Sequence, residues 1–221
     1  MQTQDASAEF LIKFWPWLEA NRQRLIATAV AVVVVLFFWY YVDTQKEQKA
    51  INAGQAYTQL QLSMAPNPTV QQVSEAFLKL ASQYAGTIAA ERAQLQAAAV
   101  LFDAGRYADA QAQFQKFLDA NHGSSLAAAA QLGVAASLEA QNKLADAATA
   151  YRMVTTSYPN STEALPAKFS LGSVLEAQGK ATEAMGYYQE VARTQLAGSL
   201  ASEAAQRLAK MQAATKPAAK S

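Results

Sequence analysis

Hydrophobic residues follow two different patterns along this 221-residue chain. Residues 25–42 form one apolar run without a charged side chain. Farther along, apolar residues recur at helical spacing, as in Ala147, Tyr151 and Val154, which at i, i+4 and i+7 share one face of a helix. The first pattern predicts a membrane span, and the second predicts a stack of amphipathic helices.

The apolar run is long enough to cross a bilayer, since it makes about 27 Å of helix against a hydrocarbon core of roughly 30 Å. Its flanks suit a membrane boundary, where basic and amphipathic aromatic side chains gather. The flanking residues are Arg22 and Arg24 before the run and Trp39, Tyr40 and Tyr41 at its end. A buried core helix and a cleaved signal peptide are the alternatives, but bulky residues at the end of the run make a poor cleavage site. We therefore predict an uncleaved transmembrane helix over residues 25–42.

The segment ahead of the span, residues 1–24, has an amphipathic stretch. Its apolar positions at i, i+3, i+4 and i+7 are Leu11, Phe14, Trp15 and Leu18. This stripe indicates either a docking helix for a membrane partner or a segment that rests on the lipid headgroups. Basic residues slightly favour the N-terminal side of the span, which predicts a cytoplasmic N-terminus.

Three segments in the C-terminal part repeat at an interval of 37 residues. Gly105, Asn142 and Gly179 open the equivalent strings GRYADAQAQFQKF, NKLADAATAYRMV and GKATEAMGYYQEV. Each unit predicts two helices joined by a turn where Gly or Asn supplies a positive φ. One such hairpin cannot bury its apolar face alone, so hairpins must stack. The predicted repeat core is Ala98, Leu101, Ala110, Phe114, Phe117, Ala135, Leu138, Ala147, Tyr151, Val154, Gly172, Leu175, Ala184, Tyr188 and Val191.

The repeats also predict the domain boundaries. The repeat domain spans 43–212 and is followed by a disordered tail over 213–221. Within it we expect an irregular helix pair over 44–85, regular repeats at about 87–121, 124–158 and 161–195, and a capping helix over 199–212. The apolar positions of the irregular pair are Ile51, Tyr57, Leu60 and Met64 in its first helix and Val73, Phe77 and Leu80 in its second.

This pattern resembles the tetratricopeptide repeat, with its small residue, tight turn, alanine and aromatic residue. Pro159 supplies the proline that closes the second helix in that family, while His122 and Leu196 replace it in the other repeats. Another helical array is the alternative, because the interval exceeds the usual length of about 34 residues. The predicted fold class is all-α: one N-terminal transmembrane helix followed by a tetratricopeptide-like helical-hairpin solenoid.

The resemblance implies a concave surface lined by the first helix of each hairpin. The residues expected to project towards this groove are Leu95, Phe102, Leu132, Glu139, Phe169 and Glu176. They differ from the Lys and Asn side chains with which some members of the family capture an acidic C-terminus. We therefore expect a groove for an extended or helical segment of a partner. The alternative is that these residues pack against neighbouring helices.

Composition narrows the possible functions. The net charge is +1, with 18 basic and 17 acidic residues, so no overall field steers the chain onto nucleic acid. Cysteine is absent, and the lone His122 lies in a predicted turn without a nucleophile or companion ligands. Carboxylates near the turns, Asp103, Asp109, Asp146 and Glu183, are expected mostly in first helical turns. No catalytic residue, metal site or cofactor is predicted.

The order of the segments narrows the resemblance further. The string FLIKFWPWLEANRQRL precedes one span that ends in aromatic residues, and a long helix then leads into degenerate repeats. This architecture resembles the YfgM-type ancillary subunits of the bacterial Sec translocon. The resemblance implies an inner-membrane anchor, periplasmic repeats, and association with Sec membrane subunits and with a membrane-anchored peptidyl-prolyl isomerase-like chaperone. The alternative is a scaffold for another envelope assembly, such as cell-wall synthesis, secretion or pilus machinery; an enzyme has no residue constellation behind it.

Overall fold

The structure, a computed structural model, describes residues 15, 17–63, 68–194 and 198–215. All regular secondary structure in these ranges is helical, which confirms the expected all-α class. The helices are α1 (Arg22–Leu62), α2 (Val70–Gln83), α3 (Ile88–Asp103), α4 (Tyr107–Ala120), α5 (Ala127–Ala140), α6 (Leu144–Ser157), α7 (Ala164–Ala177), α8 (Ala181–Ala192) and α9 (Gly198–Thr215).

Helix α1 carries the apolar run and continues well beyond it. Among the described residues, it is the one helix long and apolar enough to span a membrane, and none of its apolar window is buried. Phe37, for example, is 70% exposed. Exposed apolar surface of this extent is unfavourable in water, whereas a helix in lipid satisfies all of its backbone groups internally. The predicted end of the span at Val42 is not a helix boundary, because α1 runs without a break to Leu62.

The chain divides into two compact units, Met1–Asn52 and Ala53–Ser221. In the second unit, each helix from α2 onward packs against the next helix in sequence. In addition, α5 contacts α3 and α7, and α9 contacts α7. The pairs α3–α4, α5–α6 and α7–α8 therefore form stacked hairpins whose first helices lie beside one another, as the repeats predict.

A shared backbone motif ends the first helix of each hairpin. Gly105, Asn142 and Gly179 have φ angles of +77°, +59° and +75°. The backbone amides of Gly105 and Arg106 each donate back to a carbonyl in the last turn of α3 at 2.9 Å. This pair of bonds is the Schellman motif, which needs a left-handed residue after the helix. The same two bonds recur at the other two turns, so the predicted positive φ is confirmed at all three.

The irregular pair consists of the C-terminal part of α1 and helix α2. Tyr57 contacts Phe77 with ring centroids 5.8 Å apart, and Leu60 packs on the same cluster. Ala53 is buried, whereas Ile51 is 52% exposed, so the expectation that Ile51 is a core residue is wrong. The reason is helical phase: Ala53, Tyr57 and Leu60 share one face at i, i+4 and i+7, and Ile51 lies off that face.

Helix α9 follows the third hairpin in the place of the predicted capping helix. Its Ala204 and Met211 are buried. It extends to Thr215, so residues 213–215, which were expected in the disordered tail, are helical. The remaining residues of that tail, 216–221, and Met64 lie outside the described residues.

The third hairpin offers a matched test of the turn motif. Gly179 has a φ of +75°, whereas Gly186 lies within α8, and a Cβ at either position would meet no atom within 4 Å. We expect Gly179→Ala to lower the free energy of unfolding by about 1 to 2 kcal/mol, since a left-handed conformation is costly for a residue with a Cβ. Gly186→Ala should raise it by about 0.5 to 1 kcal/mol through helix propensity. Urea unfolding of the full-length protein in detergent measures both, and equal effects would contradict the assignment.

Candidate interaction surface

The residues predicted to form the repeat core are all buried. All except Gly172, which has no side chain, belong to one cluster that runs through the three hairpins and α9. The small residues of this set allow close contact with the rings. A Cβ on Gly172, for instance, would lie only 2.9 Å from Cε1 of Tyr188.

The apolar residues predicted to line the groove are half-buried and pack at the edge of this cluster. They are Leu95, Phe102, Leu132 and Phe169. The Phe102 ring lies 5.2 Å from that of Tyr107, and the Phe169 ring lies 5.5 Å from that of Tyr188. Each of the four thus packs against neighbouring residues and still keeps an accessible portion.

The two predicted groove carboxylates accept hydrogen bonds from core tyrosines. The hydroxyl of Tyr151 donates to Glu139 at 2.6 Å, and the hydroxyl of Tyr188 donates to Glu176 at 2.8 Å. In both hairpins the bond links the end of the first helix to the middle of the second helix. The same positions in the first hairpin hold two phenylalanines, so the apolar and polar versions of this contact each keep matched partners.

These contacts hold the tyrosines in their protonated form. Burial, and after it the hydrogen bond to Glu176, raises the pKa of Tyr188 to about 12, while Arg207 acts in the opposite direction. Burial, and after it the hydrogen bond to Glu139, also raises the pKa of Tyr151. Each hydroxyl therefore remains a donor to its carboxylate at neutral pH.

Sequence reasoning missed one position at the junctions between successive units. Gly133, Ser170 and Arg207 are spaced 37 residues apart, on α5, α7 and α9. Each lies beside the aromatic ring of the preceding hairpin. A Cβ on Gly133 would come within 2.6 Å of three atoms of the Phe114 ring. The spacing is visible in the sequence, but the residue type changes at every copy, so the position does not stand out as part of the repeat.

The next two junctions use polar contacts. Ser170 hydrogen-bonds to Tyr151, and Nη1 of Arg207 lies 3.3 Å from the Tyr188 hydroxyl oxygen. The contact at this position thus changes from close packing at Gly133 to a neutral hydroxyl and then to a cation.

Arg207 joins the capping helix to the third hairpin through several contacts. Its guanidinium nitrogens lie 3.6 Å from a carboxylate oxygen of Glu176 and 3.4 Å from one of Glu203. Nη1 also approaches Oγ of Ser173 at 3.4 Å. Its Cζ lies 5.2 Å from the centroid of the Phe169 ring, within the range of a cation–π contact. The predicted groove residues Glu176 and Phe169 are therefore already in contact with a cation of the same chain.

The remaining polar residues singled out in the sequence have ordinary positions. His122 is exposed in a turn, as expected. Asp109, Asp146 and Glu183 lie in first helical turns, whereas Asp103 is the last residue of α3, so that expectation is wrong for this residue. Within the described ranges, no group of three or more His, Asp or Glu side chains is placed to hold a metal ion.

The residues predicted to mark the membrane boundary are all exposed and lie in α1. They are Arg22, Arg24, Trp39, Tyr40 and Tyr41. Ahead of them, Trp15, Leu18 and Ile26 line an open apolar depression with Glu19 and Arg22 beside it. Leu11 and Phe14, the other members of the predicted amphipathic stripe, lie outside the described residues.

Comparison with protein families gives one match. The family model described as a tetratricopeptide repeat-like domain matches residues 15–213. No curated protein sequence matches the chain.

Comparison with solved structures gives fold likenesses at low identity. One is a variant of the Podosopora anserina putative kinesin light chain nearly identical TPR-like repeats, with 15% identity, a TM-score of 0.55, and coverage of 76% of this chain and 87% of that one. PcrH in complex with the chaperone binding region of PopD has 20% identity, a TM-score of 0.49, and coverage of 56% and 92%. The Yersinia enterocolitica type III secretion translocator chaperone SycD has 16% identity, a TM-score of 0.48, and coverage of 65% and 98%. The first of these supports the helical-repeat fold and nothing beyond it.

Gly133 permits a direct test of the first junction. We expect Gly133→Ala to lower the free energy of unfolding by about 1 to 3 kcal/mol, because the added Cβ overlaps the Phe114 ring and overpacks the core. Gly123→Ala is the control, since a Cβ there meets nothing within 4 Å. Denaturant unfolding should also show that adding Gly133→Ala to a Phe114→Leu background costs less than in the wild type. A full cost in that background would argue against the contact.

The two tyrosines predict a loss of stability at alkaline pH. Their folded-state pKa values lie above the ordinary value of 10.0, so the unfolded state releases these protons first. The resulting stability is complete below about pH 10 and is lost as the pH rises towards about 12 and above. Urea unfolding at about pH 9 and pH 11 should show a smaller loss for the double variant Tyr151→Phe/Tyr188→Phe than for the wild type. Equal losses in the two proteins would contradict this linkage.

Proposed function

Since the chain belongs to the tetratricopeptide repeat-like domain family, we propose that it is a non-enzymatic, membrane-anchored adaptor of the bacterial Sec translocon. In this role it binds periplasmic chaperones and assists newly exported proteins. The proposal joins a stack of helical hairpins, a scaffold for protein–protein interaction, to one helix able to hold that stack at a membrane.

The observation that carries the proposal is the presence of two kinds of accessible apolar surface in one chain. Helix α1 exposes its whole apolar window, which fits a lipid environment. The first helices of the hairpins present half-buried apolar residues such as Leu132 and Phe169. A groove of this kind suits an extended or helical protein segment.

The orientation follows from the charges that flank the span. Arg22 and Arg24 precede the apolar run, and basic residues are retained on the cytoplasmic side. The N-terminus then lies in the cytoplasm and the repeat domain in the periplasm of a bacterial inner membrane. In this arrangement the span contacts the membrane subunits of the translocon, and the groove binds a membrane-anchored peptidyl-prolyl isomerase-like chaperone.

The orientation can be tested with a reporter fused after residue 60. A reporter active only in the periplasm should be active at this position, and one active only in the cytoplasm should be silent. The same pair of reporters fused ahead of residue 15 should give the opposite result. Cytoplasmic activity after residue 60 would overturn both the orientation and the role.

Partner binding can be tested by affinity purification of the full-length chain from membranes solubilised in mild detergent. We expect enrichment of Sec membrane subunits and of a periplasmic chaperone. Leu132→Gln should reduce recovery of the chaperone at least fivefold and leave that of the Sec subunits unchanged, because Leu132 lies in the predicted groove.

Met153→Gln is the control, since Met153 is 49% exposed on the second helix of the same hairpin. Circular dichroism should show that both variants keep the helical content of the wild type. Recovery of a different envelope assembly in place of Sec subunits would reject the translocon role. Equal chaperone recovery from both variants would reject the groove as the binding surface.

A further inference from the structure

The second and third hairpins contain equivalent carboxylate–tyrosine pairs that differ in one respect. Shifting the third hairpin back by 37 residues places Glu176 on Glu139, Tyr188 on Tyr151 and Arg207 on Ser170. Both tyrosine hydroxyls donate to their carboxylates. The carboxylate of the third hairpin has a cation beside it, and the equivalent position in the second hairpin holds a hydroxyl group.

The third hairpin shows how this kind of pair holds a guanidinium. Nη1 of Arg207 lies 3.6 Å from Oε2 of Glu176 and 3.3 Å from the hydroxyl oxygen of Tyr188. The tyrosine ring also lies beneath the cation, with 5.9 Å between its centroid and Cζ of Arg207. The pair therefore supplies a negative charge, an acceptor oxygen and an aromatic face, all of which favour a guanidinium.

Glu139 has no such partner within the chain. Among residues 15, 17–63, 68–194 and 198–215, no Lys, Arg or His side chain forms an ion pair with it. Its hydrogen-bond partner is the neutral hydroxyl of Tyr151. Because Glu139 is half-buried, its charge is only partly solvated, and a cation that reached it would form a stronger contact than one at a fully exposed carboxylate.

The surface around Glu139 leaves access for an incoming side chain. Ser170 lacks the long side chain with which Arg207 reaches back over the preceding hairpin. On α5, Gly133 and Ala136 are half-buried and Ala140 is exposed, so small residues flank the carboxylate on its own helix. The backbone of a bound segment can therefore approach closely enough for an arginine to reach Glu139.

We propose that Glu139 and Tyr151 bind an arginine side chain from a segment of a partner protein, in the manner in which Glu176 and Tyr188 bind Arg207. The charge of Glu139 and the internal example of Arg207 select a basic segment over an acidic or wholly apolar one. This inference rests on the proposed role of the groove as a protein-binding surface, and it specifies the chemistry of the segment that the groove takes.

The test uses a displayed library of random 12-residue peptides, selected against the full-length chain in lipid nanodiscs. The selected peptides should share an arginine at one aligned position. Their affinity should fall at least tenfold for Glu139→Gln, and an Arg→Gln change in the peptide should cause the same loss on the wild-type chain. The two changes together should cost no more than either alone, because each removes the same contact.

Ser170→Arg provides an independent variant. It gives the second hairpin the cation that the third already has, so it should occupy Glu139 from within the chain and weaken the peptides at least tenfold. Glu183→Gln is the control, since Glu183 is an exposed carboxylate on a second helix, and it should leave affinity unchanged. Circular dichroism should show wild-type helical content in all three variants.

The inference is overturned if the selection enriches no arginine, or if the peptides bind Glu139→Gln and the wild type equally. Either result leaves the translocon role intact as long as Sec subunits and a chaperone are still recovered with the chain. Conversely, enrichment of arginine peptides without recovery of Sec subunits would reject the translocon role and retain the arginine site.

Discussion

The repeat stack depends on aromatic rings that lie against helix backbones with no room for a side chain. The Tyr188 ring contacts Gly172 of its own hairpin and Arg207 of the next helix, and the Phe114 ring contacts Gly133 of the following hairpin. A protein interior of this density tolerates neither a gap nor an added methyl group at such contacts. Each ring therefore needs the helix that follows it, and this requirement explains why a single helix, α9, must close the third hairpin.

The two parts of the chain bury apolar surface by different means. In the repeats, alanine predominates on the first helices, and helix packs closely on helix. In α1, the run of valines and aromatic residues is exposed along its length. Branched residues are mediocre helix formers in water, but in lipid a single span must be helical to satisfy its backbone. The same secondary structure thus results from side-chain packing in one part and from the solvent in the other.

The sequence was sufficient where one residue has one structural task. The left-handed turns at Gly105, Asn142 and Gly179 followed from residue type, since few residues tolerate a positive φ. The buried faces of the hairpins followed from apolar spacing. Ile51 was misplaced because the irregular first helix has no copy to fix its phase, and Asp103 was misplaced because the helix start lies beyond the turn rather than before it.

The sequence was insufficient where a contact depends on two helices that come together only in the folded chain. Whether Glu139 and Glu176 lie free in a groove or bind tyrosines cannot be read from a single helix. The junction residues Gly133, Ser170 and Arg207 share a position and no chemistry, so no pattern of residue types connects them. Once the rings of the preceding hairpins are placed, each of the three has an evident partner.

The differences among these three junctions bear on how such an array can evolve. A hairpin carries a ring suited to the unit after it and a junction residue suited to the unit before it. If the gene segment for one hairpin were duplicated or exchanged, the new neighbours would set glycine, serine or arginine against the wrong ring. Tandem copying of these units is therefore disfavoured, and the order of the hairpins is encoded within the array itself.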